Sequence, residues 1–137
     1  ITIRSLKQPY KDSLDVDIKW FCQSFGLISD RDKNRTCMKI FRVIVNASRN
    51  DRNISVDEIS RKLDISRTTV MHHLNAMRSA GFVVKVGRNY ELRARSLQKL
   101  VDEIGLDLER TLKSIREIAE DIDRRLNLPV RERAVHD

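Results

Sequence analysis

The side chains best suited to specific chemistry are clustered between Ser66 and Ser79. Val70, Leu74 and Met77 recur at spacings of four and three, which predicts a helix with one buried side. Short polar side chains fall on the opposite side or at its edge: Thr68, Thr69, His72, Asn75 and Ser79. Arg67 falls in the first turn of this helix. Its planar guanidinium fork matches the O6 and N7 atoms of guanine. This helix face is suited to reading the edges of nucleic-acid bases.

A short β-hairpin is predicted directly after this helix. Gly81 is placed to end the helix, and Phe82–Val86 and Tyr90–Arg93 have the composition of two short strands. The residues Gly87-Arg88-Asn89 form the predicted turn between them. The stretch after the helix is therefore expected to be a two-stranded wing.

Four polar residues of this wing are candidates for binding a nucleic-acid backbone. We expect Arg88 at the tip to bind phosphate or the minor groove, with Asn89 assisting. Lys85 and Arg93 flank the tip as further phosphate-binding candidates. Ser66, as the predicted N-cap, is placed to share a phosphate with the unpaired N–H groups of the helix start.

A shorter helix is predicted just before the polar one. Ser55 and Glu58 have the spacing of a capping box, in which each side chain accepts from the other's backbone N–H. Ile59 and Leu63 are its apolar positions, and the helix is expected to end near Asp64. The order helix, turn, helix, hairpin over residues 55–95 predicts a winged helix-turn-helix, whose second helix enters the major groove.

The residues of this segment resemble a known family. The stretch Ser66-Arg67-Thr68-Thr69-Val70-Met71-His72-His73-Leu74 resembles the recognition helix of ArsR-like transcription regulators. Ala80–Val83 and Gly87–Leu92 are similar to that family's helix end and wing. The resemblance covers about forty residues. It implies binding to double-stranded DNA and a homodimer whose interface uses the N- and C-terminal helices.

Residues 1–54 are expected to form an N-terminal arm and two supporting helices. Leu14, Ile18, Phe21 and Phe25 mark one face of the first helix, with Ser13 as its N-cap and Gly26 as its end. The second helix is predicted from about Asp30 to Ser48, and its buried stripe comprises Cys37, Ile40, Phe41, Ile44 and Ala47. The aromatic face of the first helix is predicted to be dimer core, with an effector pocket as the alternative.

Residues 96–127 are predicted to form a long helix that pairs with a partner. Its apolar stripe comprises Leu97, Leu100, Ile104, Leu108, Leu112, Ile115, Ala119, Ile122 and Leu126. About thirty residues span roughly 45 Å, more than the core of so small a domain can cover, so the simplest partner is the same helix of a second chain. A kink between Gly105 and Asp107 is the alternative to one continuous helix. Residues 128–137 are predicted to be a flexible tail.

The residues predicted to form the dimer interface come from both terminal helices. They are Leu14, Ile18, Phe21, Leu100, Ile104, Leu108, Leu112, Ile115 and Ile122. The predicted fold class is therefore mainly α, a winged helix-turn-helix with a two-stranded wing and a long C-terminal dimerisation helix.

Charge is distributed unevenly along the 137 residues. The chain has 27 basic and 20 acidic side chains, and the excess of base lies in residues 1–95, whereas residues 96–137 carry 8 basic and 10 acidic side chains. This balance favours a polyanionic partner for the first two thirds of the chain. Because no apolar run reaches the roughly 18 residues that a membrane span needs, we predict no membrane partner. We expect a cytoplasmic, nucleoid-associated protein of a prokaryotic cell.

The sequence offers little for other kinds of chemistry. In the family that the chain resembles, metal sensors have either a cysteine pair on the helix before the recognition helix or histidines with carboxylates on the C-terminal helix. Residues 56–63 contain no cysteine, and residues 96–127 contain no histidine. We therefore predict no metal and no cofactor. Adjacent His72 and His73 diverge by about 100° on a helix and are poorly placed to share a metal. Cys22 and Cys37 are interpreted as buried apolar residues, with a redox switch as the alternative. No catalytic pairing is indicated, so we predict that the protein is not an enzyme.

Two rival functions remain open at this point. A winged helix also occurs as a protein-interaction or scaffold module, and a basic helical protein can coat DNA without regard to sequence. The sequence identifies no small-molecule effector and no operator, and it does not distinguish repression from activation.

Overall fold

The computed structural model describes residues 2–10, 13–28 and 35–129. Five helices and three strands occur in these residues: α1 (Leu14–Ser24), α2 (Thr36–Arg49), β1 (Ile54–Ser55), α3 (Val56–Leu63), α4 (Arg67–Ser79), β2 (Val83–Val86), β3 (Asn89–Leu92) and α5 (Leu97–Arg125). The chain divides into two compact units, Ile1–Leu100 and Val101–Asp137. No helix in the described part of the chain is both long and apolar enough to cross a membrane.

The first two helices differ from the predicted ones only at their ends. Helix α1 follows Ser13, whose backbone is extended but whose side chain makes no capping hydrogen bond. Gly26 ends the segment with φ of +70°, a conformation that glycine adopts without strain. Helix α2 begins at Thr36, and the earlier start predicted near Asp30 lies outside the described residues. All five residues of its predicted stripe are buried.

The predicted two-stranded wing is confirmed as the hairpin of β2 and β3, and a third strand that was not predicted, β1, pairs with it. The strand order is β1-β3-β2, and both pairings are antiparallel. Strand β1 has only two residues, with Ile54 opposite Tyr90 and Ser55 opposite Asn89. A two-residue strand is too short for the alternation of apolar and polar residues that marks strands in a sequence. Its effect is to join the start of α3 to the half of β3 that lies next to the turn of the wing.

An aromatic cluster forms the centre of the first unit. The Phe82 ring lies 4.9 Å from Phe25, 5.4 Å from Phe21 and 5.7 Å from Phe41, measured between ring centroids. Phe82 is fully buried, and it joins the end of α1 and the middle of α2 to the start of β2. The aromatic face of α1 thus packs within one chain, so a dimer core is not needed to explain it, and a contact between Phe21 and a partner chain stays a prediction.

The two cysteines meet inside the first unit. Cys22 and Cys37 are free thiols with 0% and 1% exposure. A side-chain hydrogen bond to Cys37, followed by burial, raises the pKa of the Cys22 thiol far above its usual 9.0. Because the thiolate is the reactive form of cysteine, this environment favours the interpretation of Cys22 as a core residue.

Alkylation should distinguish core thiols from a reactive switch. We expect iodoacetamide at pH 8 to label neither cysteine of the native protein within minutes and both after denaturation, as measured by intact mass.

The raised pKa of Cys22 also predicts how stability depends on pH. A thiol whose pKa is raised by folding contributes stability that is lost once the pH exceeds the unfolded value of 9.0. The free energy of unfolding should therefore fall above about pH 9 by up to ~1.4 kcal/mol per pH unit for this group. Rapid labelling of the native protein would contradict the core interpretation.

Helix α5 is continuous through Gly105, so the alternative of two helices with a kink is wrong. Its first turn is capped by Ser96, whose Oγ accepts from the backbone N–H of Lys99 at 3.1 Å. At about 1.5 Å per residue, its 29 residues span roughly 44 Å. Backbone hydrogen bonding continues past Asp107, because no residue in this stretch removes a donor or forces a non-helical backbone.

The apolar stripe of α5 changes character along its length. Leu100 and Ile104 are buried in the single chain, with 0% and 1% exposure. Farther along, Leu112, Ile115, Ile122 and Leu126 are 47–65% exposed. Leu100 and Ile104 are thus already covered within one chain, whereas the stripe from Leu112 onward leaves a large apolar surface open to water.

Candidate nucleic-acid interface

Helix α3 is fixed by one half of the predicted capping box. The backbone N–H of Glu58 donates to Ser55 Oγ at 3.1 Å, which satisfies a donor at the start of the helix. In a complete capping box the Glu58 side chain would accept from the backbone N–H of Ser55. Here the Glu58 carboxylate accepts from Arg52 Nη2 at 3.2 Å instead. Asp64 then adopts a left-handed conformation with φ of +54°, so that α3 ends and the chain turns sharply into α4.

Helix α4 presents the predicted polar face to solvent. Val70, Leu74 and Met77 are completely buried, and this side fixes the helix against the core. The residues predicted to point outward are exposed, namely Thr68, His72, Asn75 and Ser79. Thr69 is half-buried at the edge of the face. The arrangement predicted from the spacing is the one observed.

Ser66 caps α4 through Thr69. Its Oγ accepts from the Thr69 backbone N–H at 3.2 Å and donates to Thr69 Oγ1 at 2.8 Å. The hydroxyl hydrogen of Ser66 is therefore already used within the protein. A phosphate at this helix start would meet the remaining backbone N–H groups and the positive end of the helix dipole.

Arg67 forms an ion pair with a carboxylate from the preceding helix. Its Nη1 atom lies 2.7 Å from Oδ1 of Asp57, and the two side chains are 68% and 58% exposed. The partners are the first residue of α4 and the second residue of α3. Only the folded turn between these helices brings them together, so spacing in the sequence gave no signal for this pair.

The wing is a tight hairpin with a basic tip. Val86 lies opposite Asn89, which leaves Gly87 and Arg88 as a two-residue turn. Gly87 has φ of +62°, as a type II′ turn requires of its first central residue. Arg88 and Lys85 are exposed.

The other two wing candidates are more closely engaged with the protein. Asn89 is half-buried, and its Nδ2 donates to Asn53 Oδ1 at 2.8 Å. Arg93 is also half-buried, and its backbone N–H donates to the carbonyl of Phe82 at 2.9 Å. Arg88 and Lys85 are therefore the wing residues best placed to reach a ligand.

Helix α4 and the wing line a common cleft. It has a volume of about 520 Å³, and residues from both elements line it: Ser55, Val56, Asp57, Arg67, Met71, Lys85, Arg88, Asn89 and Tyr90. The fold thus brings together four of the predicted contact residues, Arg67, Lys85, Arg88 and Asn89. Residues 1–100, which contain the cleft, have 20 basic and 10 acidic side chains, whereas residues 101–137 have seven basic and ten acidic ones. An anionic partner is therefore attracted to the unit that carries the cleft.

The histidines of α4 do not form part of a metal-binding cluster in the described residues. The rings of His72 and His73 meet edge to face, with centroids 5.5 Å apart. No group of three or more His, Cys, Asp or Glu side chains within residues 2–10, 13–28 and 35–129 is arranged to hold a metal ion.

These elements define a winged helix-turn-helix: α3, a sharp turn, α4 and an antiparallel wing hairpin, with a long C-terminal helix following. Residues 34–86 match the model of a family described as a helix-turn-helix domain. The chain therefore contains a helix-turn-helix domain of a family typical of ArsR-type winged helix-turn-helix regulators. Such a domain implies DNA binding and transcription regulation and is typically non-enzymatic. None of the curated proteins compared with the chain matches it.

Proposed function

We propose that the protein is a sequence-specific regulator that binds a double-stranded DNA operator as a homodimer. The observation that carries this proposal is the shared cleft, in which Arg67 of α4 and Arg88 and Lys85 of the wing converge. An α-helix fits the major groove, and a hairpin beside it reaches the flanking phosphates. Thr68, Thr69, His72 and Asn75 supply further contacts on α4, and the backbone N–H groups that follow Ser66 bind a phosphate at the start of the helix. Asn89 and Arg93 assist from the wing.

The proposed dimer rests on the exposed part of the α5 stripe. Leu108 is half-buried, and Leu112, Ile115 and Ile122 are exposed in the single chain. An apolar stripe of this length is typical of helices that pair with another helix. Two-fold pairing would place two recognition helices in successive major grooves, roughly one helical turn of DNA apart. Leu14 and Ile18 of α1 would contribute to the same interface.

We infer a regulator without a metal sensor site, a cofactor or an assigned effector, which acts beside the DNA in a prokaryotic cytoplasm. Apolar side chains of α1 and α2, including Leu14, Ile18 and Phe41, line a groove of about 360 Å³. Because Leu14 and Ile18 are also proposed interface residues, this groove does not by itself indicate a small molecule.

A salt series of binding to labelled duplexes tests the proposal. We expect a dimer by sedimentation velocity, with the logarithm of the association constant falling linearly with the logarithm of salt concentration and with affinity that varies with DNA sequence. Equal affinity for all duplexes would indicate a DNA-coating protein instead. No binding at ~50 mM salt, where phosphate contacts are strong, would favour a protein-interaction module that uses α5.

Two single substitutions should separate base reading from phosphate binding. Arg67→Ala is expected to reduce the discrimination between preferred and scrambled duplexes by ~1–3 kcal/mol, because a bidentate contact to guanine is lost. Arg88→Ala is expected to weaken binding to all duplexes alike and to reduce the salt dependence by about one phosphate. Competition titrations with the two duplexes measure both effects. Unchanged discrimination in Arg67→Ala would remove Arg67 from the base-reading residues.

A further inference from the structure

Asp57 has an unusual position for an acidic residue on a DNA-binding surface. Among the described residues that line the cleft between α4 and the wing, it is the only acidic one, and Arg67, Lys85 and Arg88 are basic. A carboxylate beside the DNA backbone repels phosphate. At this position it is expected to reduce affinity for DNA in general.

Stability does not explain the contact between Asp57 and Arg67. Both side chains are more than half exposed, and ion pairs of this kind add little to the stability of a fold. Arg67 also lies in the first turn of α4, where the helix dipole disfavours a cation. The arginine is therefore in a locally unfavourable place, and the Asp57 carboxylate offsets the positive end of that helix.

The geometry of the pair gives it a role in recognition. The Asp57 carboxylate engages Nη1 of Arg67 at 2.7 Å, whereas a guanidinium has five N–H donors. The remaining donors are available to a base, and a fork whose orientation is favoured by the carboxylate loses less conformational freedom when it binds. The carboxylate also neutralises the charge with which Arg67 would otherwise bind any phosphate.

We propose that Asp57 is a second specificity-determining residue, which positions the Arg67 fork for guanine and weakens binding to DNA that lacks the matching base pair. This inference rests on the proposed function, because it assigns a role within the same DNA-binding site. Specificity then depends on the repulsion of phosphate by the Asp57 carboxylate as well as on the attraction of guanine to Arg67.

The test compares Asp57→Asn with a matched control in two backgrounds. Asp64→Asn changes the charge by the same amount within the same helix-turn-helix, and Asp64 makes no ion pair in the part of the chain that the structure describes. Asparagine also tolerates the left-handed conformation at position 64. Each substitution is made in the natural chain and in Arg67→Ala. Affinities are measured for a preferred duplex, selected from random sequences, and for a scrambled duplex over a range of salt concentrations.

In the natural background, Asp57→Asn is expected to tighten binding to the scrambled duplex and to reduce discrimination about tenfold, within the range of one bidentate contact. The log–log salt slope on the scrambled duplex should steepen by about one, because Arg67 gains a phosphate. Asp64→Asn should change neither the discrimination nor the slope. In the Arg67→Ala background, Asp57→Asn should leave the discrimination unchanged, and Asp57→Glu in the natural background should retain most of it.

The outcomes separate this inference from the proposed function. If the natural protein discriminates between duplexes but Asp57→Asn behaves like Asp64→Asn, the role of Asp57 is wrong and the proposed function stands. If the natural protein shows no sequence preference, both are wrong. A lower melting temperature in Asp57→Asn with unchanged discrimination would limit the role of Asp57 to its favourable interaction with the positive end of the α3 dipole.

Discussion

Replacing Ile115 by Asp is expected to convert the protein to a monomer and to lower its operator affinity at least a hundredfold. Ile115 is 59% exposed in the single chain, so the change leaves the protomer's core intact. Burial of an isoleucine contributes about 1.5–3 kcal/mol, and a two-fold interface contains the residue twice. The dimer dissociation constant should therefore rise by about 10²–10⁴, before any cost of burying the new charge.

The effect on DNA binding follows from linkage of the two half-sites. A dimer binds the second half-site at a high effective concentration, which contributes about 10²–10⁴ in affinity. Sedimentation velocity and operator titration measure the two effects in the same buffer.

Ser114→Asp is the matched control for this substitution. It adds the same charge one position earlier, about 100° around the helix from Ile115 and away from the apolar stripe. We expect it to remain dimeric and to bind the operator with only a small change in affinity. A dimeric Ile115→Asp protein would show that α5 does not form the interface. A monomer that retains full operator affinity would show that dimerisation is not needed for binding.

The largest loss of stability is expected for Phe82→Ala, at about 3–5 kcal/mol. The Phe82 ring is fully buried and contacts three other phenylalanine rings. Its removal leaves a cavity at the point where α1, α2 and the start of the wing meet. A domain of this kind has a total stability of about 5–15 kcal/mol, so a large part of it would be lost. Urea unfolding followed by circular dichroism measures the change.

Two comparisons make the result for Phe82 interpretable. Phe82→Leu keeps an apolar side chain of similar size and should cost less than half as much. Val86→Ala, on an exposed position of the same hairpin, should change the free energy of unfolding by less than about 0.5 kcal/mol. Equal losses for Phe82→Ala and Val86→Ala would show that the aromatic cluster is not the main source of stability.

Local signals account for what could be predicted from the sequence. Ser66, the buried positions Val70, Leu74 and Met77, and Gly87 each act within a few residues of themselves, through capping, helical spacing or turn geometry. These effects define α4 and the wing hairpin, and with them the exposure of the polar helix face. The helix-turn-helix could be predicted for this reason.

Contacts between distant residues account for what was missed. The pairing of β1 with β3 joins Ile54 to Tyr90 across 36 positions and leaves almost no pattern in two residues. The ion pair of Asp57 and Arg67 depends on the angle between two helices, which no spacing records. The packing of Phe82 against α1 and α2 was missed for the same reason. Hydrophobic spacing shows that a helix face is buried, but it does not show which residue covers that face.

The strand order has a consequence for how the protein avoids aggregation. Because the order is β1-β3-β2, strand β2 is an open edge of the described sheet, and its exposed residues include Val84 and Val86. An open edge with such residues is a template for strands of other chains. Lys85 lies between the two valines, and the strand is only four residues long. The same lysine that we propose as a phosphate contact thus also interrupts an apolar β-forming run, which disfavours pairing of this edge with a strand of another chain.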